Sequence, residues 1–339
     1  MKPSISLLIM FFTLAAGCKK NTNTSTPKEH DIYVAGYKYN GTRKIATVWK
    51  NGIAQSLTDG SNIAYANSVY VAGSDVYVAG YESNGTRNVA KVWKNGIAQI
   101  LTDGSKDASA SSVYVKGSDV FVAGYELNGT NNVAKVWKNG IAQILTDGSK
   151  NAYANSIYVA GSDVYVAGYE YNSTYNKSVA KLWKNGTVQN LTDGSKNASA
   201  YSVYVKGSDV FVAGVETGPT NYGIAKVWKN GVAHSLTDGS NSAHVISVYG
   251  MGSDVYAAGR ESNGTNFVAK VWKNGIAQSL TDGSNIAYAN SVYVADNDVY
   301  VAGYEYNGSN YVAMVWKNGT AQSLTDGSKN AFAYSVFVK

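Results

Sequence analysis

Short apolar runs, separated by turns rich in glycine and asparagine, recur along most of the chain. In the second copy, the runs 69–71, 76–81, 88–93 and 97–101 are four predicted strands. Asn-Gly pairs favour type I′ hairpin turns, in which both central residues have positive φ. The runs are rich in valine and tyrosine, which is typical of strands. The pattern therefore predicts an all-β chain built from four-stranded antiparallel units.

One tryptophan marks each unit. It precedes Lys-Asn-Gly, and Leu-Thr-Asp-Gly-Ser begins eight residues after it. The units repeat every 44 to 46 residues, and such a period with four strands is the sequence pattern of a propeller blade. We expect seven blades, with the tryptophan of each packed between neighbouring blades. The tryptophans are Trp49, Trp93, Trp137, Trp183, Trp228, Trp272 and Trp316.

The two ends of the repeat region predict how the ring closes. Residues 335–339 form a first strand that no second strand follows, and residues 31–36 form a second strand that no first strand precedes. We therefore expect the C-terminal strand to pair with the N-terminal blade. Closure of this kind removes exposed sheet edges.

The repeat region resembles the β-propeller superfamily. Val-Tyr-Val-Ala-Gly followed by a distant tryptophan is loosely similar to a kelch repeat, although Gly80-Tyr81 replaces the kelch double glycine. Trp-Lys replaces the Trp-Asp of WD repeats, and no aromatic residue stands at the spacing of a sialidase Asp-box. The resemblance implies the propeller fold over residues 30–339 and no family active site.

The N-terminus carries a different signal. An apolar run over residues 5–16 is too short to span a bilayer and is typical of a signal-peptide core. It ends in Ala15-Ala16-Gly17-Cys18, and Cys18 is the only cysteine. This segment resembles a bacterial lipoprotein signal. An ordinary secretory signal with an incidental cysteine is the alternative.

The lipoprotein resemblance implies three segments. Residues 1–17 are a signal peptide, residues 18–29 are a lipidated cysteine with a polar flexible tether, and residues 30–339 are the propeller. The membrane is then a partner through lipidated Cys18. The protein is expected in the bacterial cell envelope, at the outer membrane, with its periplasmic or surface side left open.

The distribution of charge and the small number of candidate metal ligands argue against several functional classes. The net charge is +6, but the lysines recur singly in each repeat, without the clustered patch typical of nucleic-acid binding. One Asp-Gly-Ser per repeat supplies too few oxygen ligands for calcium and favours a turn. The histidines are His30, His234 and His244, too few for a zinc site without a third ligand. We expect no catalytic residue, metal or cofactor.

A glutamate and a lysine recur on neighbouring strands. Glu82 and Lys91 are one example, and the first repeat replaces both residues together. Joint replacement favours a cross-strand ion pair over the paired carboxylates of a glycosidase.

Two positions in the connections between blades are the candidate ligand contacts, on the face away from the tether. Tyrosine combined with asparagine suits carbohydrate or protein recognition, although these side chains would equally plug the channel mouth. The candidates are Tyr65, Asn67, Tyr153, Asn155, Tyr288, Asn290, His244 and Phe332.

The near-identical blades favour many similar surfaces over one reaction centre. The sequence therefore predicts a non-enzymatic envelope lipoprotein that serves as a binding or scaffold module for a polysaccharide or protein ligand. The alternatives are an envelope enzyme that acts on glycans and a structural subunit of an envelope complex.

Overall fold

The computed structural model describes residues 30–172 and 176–339. In this part of the chain, 28 strands form seven four-stranded antiparallel sheets, which are the blades of a closed ring. The predicted all-β, seven-bladed propeller is confirmed. The predicted signal peptide, Cys18 and the tether lie outside the described residues. Within those residues, no helix is long and apolar enough to cross a membrane.

The two inner strands of each blade carry the apolar repeat. The innermost strands, which line the central channel, are β4 (Ala64–Ala72), β8 (Ala108–Lys116), β12 (Ala152–Ala160), β16 (Ala198–Lys206), β20 (Ala243–Met251), β24 (Ala287–Ala295) and β28 (Ala331–Val338). The second strands are β1 (Ile32–Tyr39), β5 (Asp75–Ser83), β9 (Asp119–Leu127), β13 (Asp163–Asn172), β17 (Asp209–Thr217), β21 (Asp254–Ser262) and β25 (Asp298–Tyr306).

The two outer strands complete each blade. The third strands are β2 (Lys44–Lys50), β6 (Asn88–Lys94), β10 (Asn132–Lys138), β14 (Lys177–Lys184), β18 (Gly223–Lys229), β22 (Phe267–Lys273) and β26 (Tyr311–Lys317). The fourth strands are β3 (Ile53–Ser56), β7 (Ile97–Ile100), β11 (Ile141–Ile144), β15 (Thr187–Asn190), β19 (Val232–Ser235), β23 (Ile276–Ser279) and β27 (Thr320–Ser323).

The ring closes as the sequence predicts. Blade one has the strand order β28-β1-β2-β3, and blades two to seven follow in chain order. The backbone N–H of Asp31 donates to the carbonyl of Lys339 at 3.0 Å, and the N–H of Lys339 donates back at 2.9 Å. The two ends of the propeller therefore meet at a first hairpin, where five of the other six blades have a Gly-Ser-Asp turn.

The tryptophans lie between blades. Trp137 of blade three is 1% exposed and packs with Tyr77, Ala79 and Val92 of blade two. The predicted interblade tryptophan is confirmed. The fourth strands are not covered by neighbouring blades, since Ile97 is 74% and Ile141 is 77% exposed. Blades in a ring diverge with distance from the axis, so their outer strands lack close neighbours.

The predicted turns are also present. Asn95 and Gly96 have φ values of 52° and 83°, as a type I′ hairpin requires. Ser105 N–H donates to Asp103 Oδ1 at 2.9 Å, so the Asp-Gly-Ser segment is a turn stabilised by its own aspartate.

The innermost strands differ from the prediction. The inner strand of blade two begins at Ala64, and its register shifts between Ala66 and Ser68, which leaves Asn67 as a bulge. The candidate contacts Tyr65, Asn67 and their equivalents therefore lie on strands and not on the predicted loops. Polar residues inside a strand resemble a loop in sequence, although a bulge accommodates them.

Candidate functional site

Seven aromatic side chains form a collar around the channel near the first-hairpin face. One comes from each innermost strand, and neighbouring ring centroids lie 4.6–5.1 Å apart. Burial raises the pKa of Tyr158 and of Tyr204 to about 12, so these hydroxyls stay protonated at neutral pH. The collar consists of Tyr70, Tyr114, Tyr158, Tyr204, Tyr249, Tyr293 and Phe337.

A ring of seven serines lies two positions earlier on the same strands. Each serine Oγ accepts a hydrogen bond from a backbone N–H of the next blade, as Ser68 does from Val113 at 3.2 Å. The seven bonds close the circle, since Ser335 accepts from Val69 at 3.2 Å. This N–H belongs to an innermost strand, which has a sheet neighbour on one side only, and the ring of serines therefore links the blades. The serines are Ser68, Ser112, Ser156, Ser202, Ser247, Ser291 and Ser335.

A cavity of about 440 Å³ opens above the serine ring, on the side away from the collar. We call it the mouth cavity. Its wall combines hydroxyl and carboxamide groups with the aromatic side chains of Tyr65, Tyr201 and Tyr334. Asn67, Asn155 and Asn290 also line it, one from every blade in which the bulge residue is asparagine.

These three asparagines are held in place by the next blade. The Nδ2 of Asn67 donates to the carbonyl of Ala110 at 2.9 Å, and Asn155 and Asn290 make the same bond at 2.8 Å. Their Oδ1 atoms accept no hydrogen bond from a described residue. The cavity therefore contains three fixed carboxamide oxygens that are available to a ligand.

The structure brings only part of the predicted set into the mouth cavity. Tyr65 and the three asparagines line it. The other candidates, Tyr153, Phe332, Tyr288 and His244, lie just outside the cavity. We call the layer of side chains that they form between neighbouring blades the girdle. Tyr153 stacks on Tyr169 with ring centroids 4.9 Å apart, and Phe332 stacks on Tyr37 at the same distance. The remaining members, Tyr288 and His244, take part in blade six and blade seven contacts. Whether the set binds a ligand stays a prediction.

Blade six departs from the girdle pattern. His244 lies opposite Arg260 in the strand pair, where four other blades pair two aromatic residues. Burial, with a contribution from the Arg260 charge, lowers the pKa of His244 to about 4. His234 is exposed on the outer strand β19, far along the blade from the channel. The two histidines thus belong to different surroundings.

The repeated carboxylates make ion pairs. Lys91 lies 2.6 Å from Glu82, and Lys226 lies 2.8 Å from Glu216. The predicted cross-strand pairs are confirmed in five blades. Blade seven has Met314 in place of the lysine, and burial there raises the pKa of Glu305.

His234 and His244 do not form a nucleophilic triad in the part of the chain that the structure describes. Neither His234 nor His244 forms a hydrogen bond with a serine hydroxyl or a carboxylate, as a nucleophilic triad requires. In residues 30–172 and 176–339, no group of three histidine, cysteine, aspartate or glutamate side chains could hold a metal ion.

The sequence matches no family model and no curated protein. Among solved structures, puromycin hydrolase matches with a TM-score of 0.59 and 10% identity, over 88% of this chain and 52% of that chain. The acylaminoacyl peptidase of Pyrococcus horikoshii matches with a TM-score of 0.55 and 12% identity, over 87% and 50%. A hydrazine synthase of Kuenenia stuttgartiensis matches with a TM-score of 0.51 and 12% identity, over 91% and 46%.

These likenesses show the fold. The chain spans about half the length of the chains that it matches. The prediction of a non-enzymatic binding or scaffold protein is wrong in the light of them, because two of these three chains are named as a hydrolase and a peptidase. Near-identical blades misled the prediction, since a propeller can belong to an enzyme whose reacting groups lie elsewhere.

Proposed function

We propose that this propeller acts in peptide hydrolysis by holding peptide substrates in its mouth cavity for a hydrolytic domain or partner protein. The matches to puromycin hydrolase and acylaminoacyl peptidase support this role. Each of those chains is about twice as long as the matched part, which leaves room there for a separate reaction centre. His234 and His244 form no triad with a serine and a carboxylate, so the proposed role is substrate binding.

The observation that carries the proposal is the set of unused acceptors in the mouth cavity. Backbone N–H groups of an extended peptide need carbonyl-type acceptors once they leave water, because a buried unpaired donor is costly. The Oδ1 atoms of Asn67, Asn155 and Asn290 are such acceptors, held by their Nδ2 bonds. Tyr65 and Tyr334 offer apolar ring faces to the peptide side chains.

Peptide binding to the full chain, measured by fluorescence anisotropy with a labelled tryptic digest of casein, tests the proposal. The variant combines Asn67→Ser, Asn155→Ser and Asn290→Ser, since blade three has Ser111 at the same position. We expect the triple variant to bind at least tenfold more weakly, because it loses three acceptors. Its melting temperature reports whether the ring stays intact.

The control combines Lys94→Ala and Lys138→Ala in the hairpins of the opposite face, where each lysine pairs with an aspartate. This variant is expected to bind peptides as the wild type does. Absence of peptide binding by the wild type would contradict the proposal. The proposal would also be contradicted if the triple serine variant still binds peptides and the double lysine variant does not.

A further inference from the structure

Exposed branched apolar side chains recur at the start of the fourth strand, directly after the Asn-Gly hairpin. Ile97 is 74%, Ile141 is 77% and Ile276 is 77% exposed. Single exposed apolar residues are common on protein surfaces, but here one position carries such a residue in five blades, and blades four and seven have threonine. We call these five side chains the rim ring. Its members are Ile53, Ile97, Ile141, Val232 and Ile276.

The rim ring lies on the first-hairpin face of the propeller. In blade two, Asn95 Nδ2 of the Asn-Gly hairpin donates to Asp75 Oδ1 of the first hairpin at 2.8 Å, and the Asn95 N–H donates to the Val76 carbonyl at 2.8 Å. The two hairpins therefore lie side by side, and Ile97 begins the strand that follows. Because the blades repeat around a closed ring, equivalent side chains lie at the same height along the channel. The rim ring is therefore a flat, interrupted circle of apolar groups.

Most charges beside the rim ring are already paired. Lys94 lies opposite Ile97 in the strand register, and its Nζ lies 2.8 Å from an Asp75 carboxylate oxygen. An equivalent lysine–aspartate pair is present in all seven blades. The first hairpins add a small positive excess, which comes from Lys116, Lys206 and Lys339 set against the carboxylate of Asp296. Apolar groups with paired charges and a slight positive excess suit the headgroup layer of a bilayer.

The position of Asp31 indicates how this face comes close to a membrane. The propeller begins on this face at Asp31, whose carboxylate lies 2.9 Å from Lys50 Nζ. Residues 19–30 separate Asp31 from Cys18, the predicted lipidation site, and a chain of this length reaches at most about 43 Å even when fully extended. A lipid anchor at Cys18 would therefore keep the first-hairpin face near the bilayer, which raises the effective concentration of the rim ring there.

We propose that the rim ring inserts into the surface of a lipid bilayer and orients the propeller with its mouth cavity directed away from the membrane. A flat circle of apolar side chains matches a planar interface, where such groups are buried at the boundary of headgroups and acyl chains. The lysines beside it have apolar stems that lie along this boundary while their ammonium groups reach the headgroups. This inference goes beyond the proposed function and does not depend on it.

A fluorescent label at one position of the full chain tests the insertion locally. Cys18→Ala removes the only cysteine, so that Ile97→Cys or Ile100→Cys can carry a nitrobenzoxadiazole label. Ile100 is the matched control, because it ends the same strand and is 66% exposed. With an excess of phosphatidylcholine vesicles that contain some phosphatidylglycerol, we expect the label at 97 to brighten and to be quenched by nitroxide lipids. The label at 100 should stay unchanged.

A pair of double variants, also in the Cys18→Ala chain, measures the affinity for the same vesicles. Ile97→Thr with Ile141→Thr introduces the residue of blades four and seven, and vesicle binding should be at least tenfold weaker. Ile100→Ser with Ile144→Ser is the control, because it removes two exposed isoleucines from the same two strands and introduces a residue that four other blades have. This control should bind vesicles as the parent chain does. Both variants should keep the parent melting temperature.

Several results would overturn the inference. They are an absence of vesicle binding by the parent chain, a label at 97 that lipid does not quench, and an equal loss of binding in the two double variants. Self-association that the threonine variant alone lacks, with no lipid quenching at 97, would assign the rim ring to a second copy of the chain instead. Peptide binding in the mouth cavity is measured separately, so that its failure leaves this inference standing.

Discussion

Single side chains link the blades of this ring at two depths. A tryptophan packs against the preceding blade within the core, and a serine of the innermost strand accepts a backbone N–H of the next blade. Both contacts repeat around the whole circle. A change in one of these residues therefore weakens a junction between blades and leaves the hydrogen bonding inside each sheet unchanged.

Trp137→Ala tests the apolar junction. Trp137 is 1% exposed, and removal of a buried tryptophan costs about 3–5 kcal/mol through lost burial and a remaining cavity. We expect that loss in the free energy of unfolding, measured with guanidinium chloride. Ile141→Ala in the same blade is the control, because this side chain is 77% exposed and should change stability by less than about 0.5 kcal/mol. Equal effects of the two changes would contradict the interblade packing.

His244 makes stability depend on pH. Its pKa is about 4 in the folded protein and about 6.5 in an unfolded chain. Below pH 6.5 the unfolded state binds a proton at His244 that the folded state does not bind. The free energy of unfolding therefore decreases as the pH falls from 6.5 to 4. After a discount for partial exposure, the loss is on the order of 1–2 kcal/mol.

His244→Phe removes this titration, since Phe332 is the equivalent residue in blade one. The difference in melting temperature between pH 7 and pH 4 should be smaller in the variant than in the wild type. An identical difference in the two proteins would show that His244 does not titrate in this range.

The strands can be predicted from the sequence where local turn and repeat patterns determine them. Asn-Gly turns fix the hairpin between the third and fourth strands, and the tryptophan period fixes the number of blades. The sequence predicts too late a start for the inner strand, because Asn67 and Ser68 are polar and resemble a loop. The hydrogen bond from the Val113 N–H to the Ser68 hydroxyl joins residues 45 positions apart, so local sequence does not indicate it. The collar could not be predicted for the same reason, because Tyr70 contacts Tyr114 only once the blades are arranged in a ring.

Deletion of residues 335–339 tests the closing strand. The deletion removes Val336 and Val338 from the core between blades one and seven and the Ser335 acceptor of Val69 N–H. It also exposes the edge of β1. We expect a loss of stability at least as large as that of Trp137→Ala, measured by thermal unfolding.

A circular permutant is the matched control for this deletion. It joins residue 339 to residue 31 through a short linker and opens the chain in the hairpin at Gly117, which keeps all strands. Because the backbones of Asp31 and Lys339 are already hydrogen-bonded, the permutant should melt close to the wild type. An unchanged melting temperature of the truncated protein would contradict closure by β28.

At the scale of the whole molecule, repetition explains the fold. Seven near-copies suffice to predict a ring, a channel and two unlike faces. The cavity wall could not be predicted in the same way, because its members come from all seven blades and meet only after closure. Arg260 is visible in the sequence as a deviation from the repeat, but its stacking on Phe267 and Tyr288 depends on neighbours from blades six and seven.

Attachment to the cell envelope stays a prediction for the whole chain, and Cys18→Ala tests it. Ala15-Ala16-Gly17 before the only cysteine supports lipidation at Cys18, and stable anchoring would hold the first-hairpin face, where Asp31 lies, toward the membrane. We expect the wild type in the membrane fraction and the variant as an unprocessed or soluble form. Cell fractionation and the mass of the N-terminal peptide measure this difference. The isolated variant should melt as the wild type does, since residue 18 precedes the propeller. A correctly processed variant at wild-type levels in the membrane fraction would contradict the anchor.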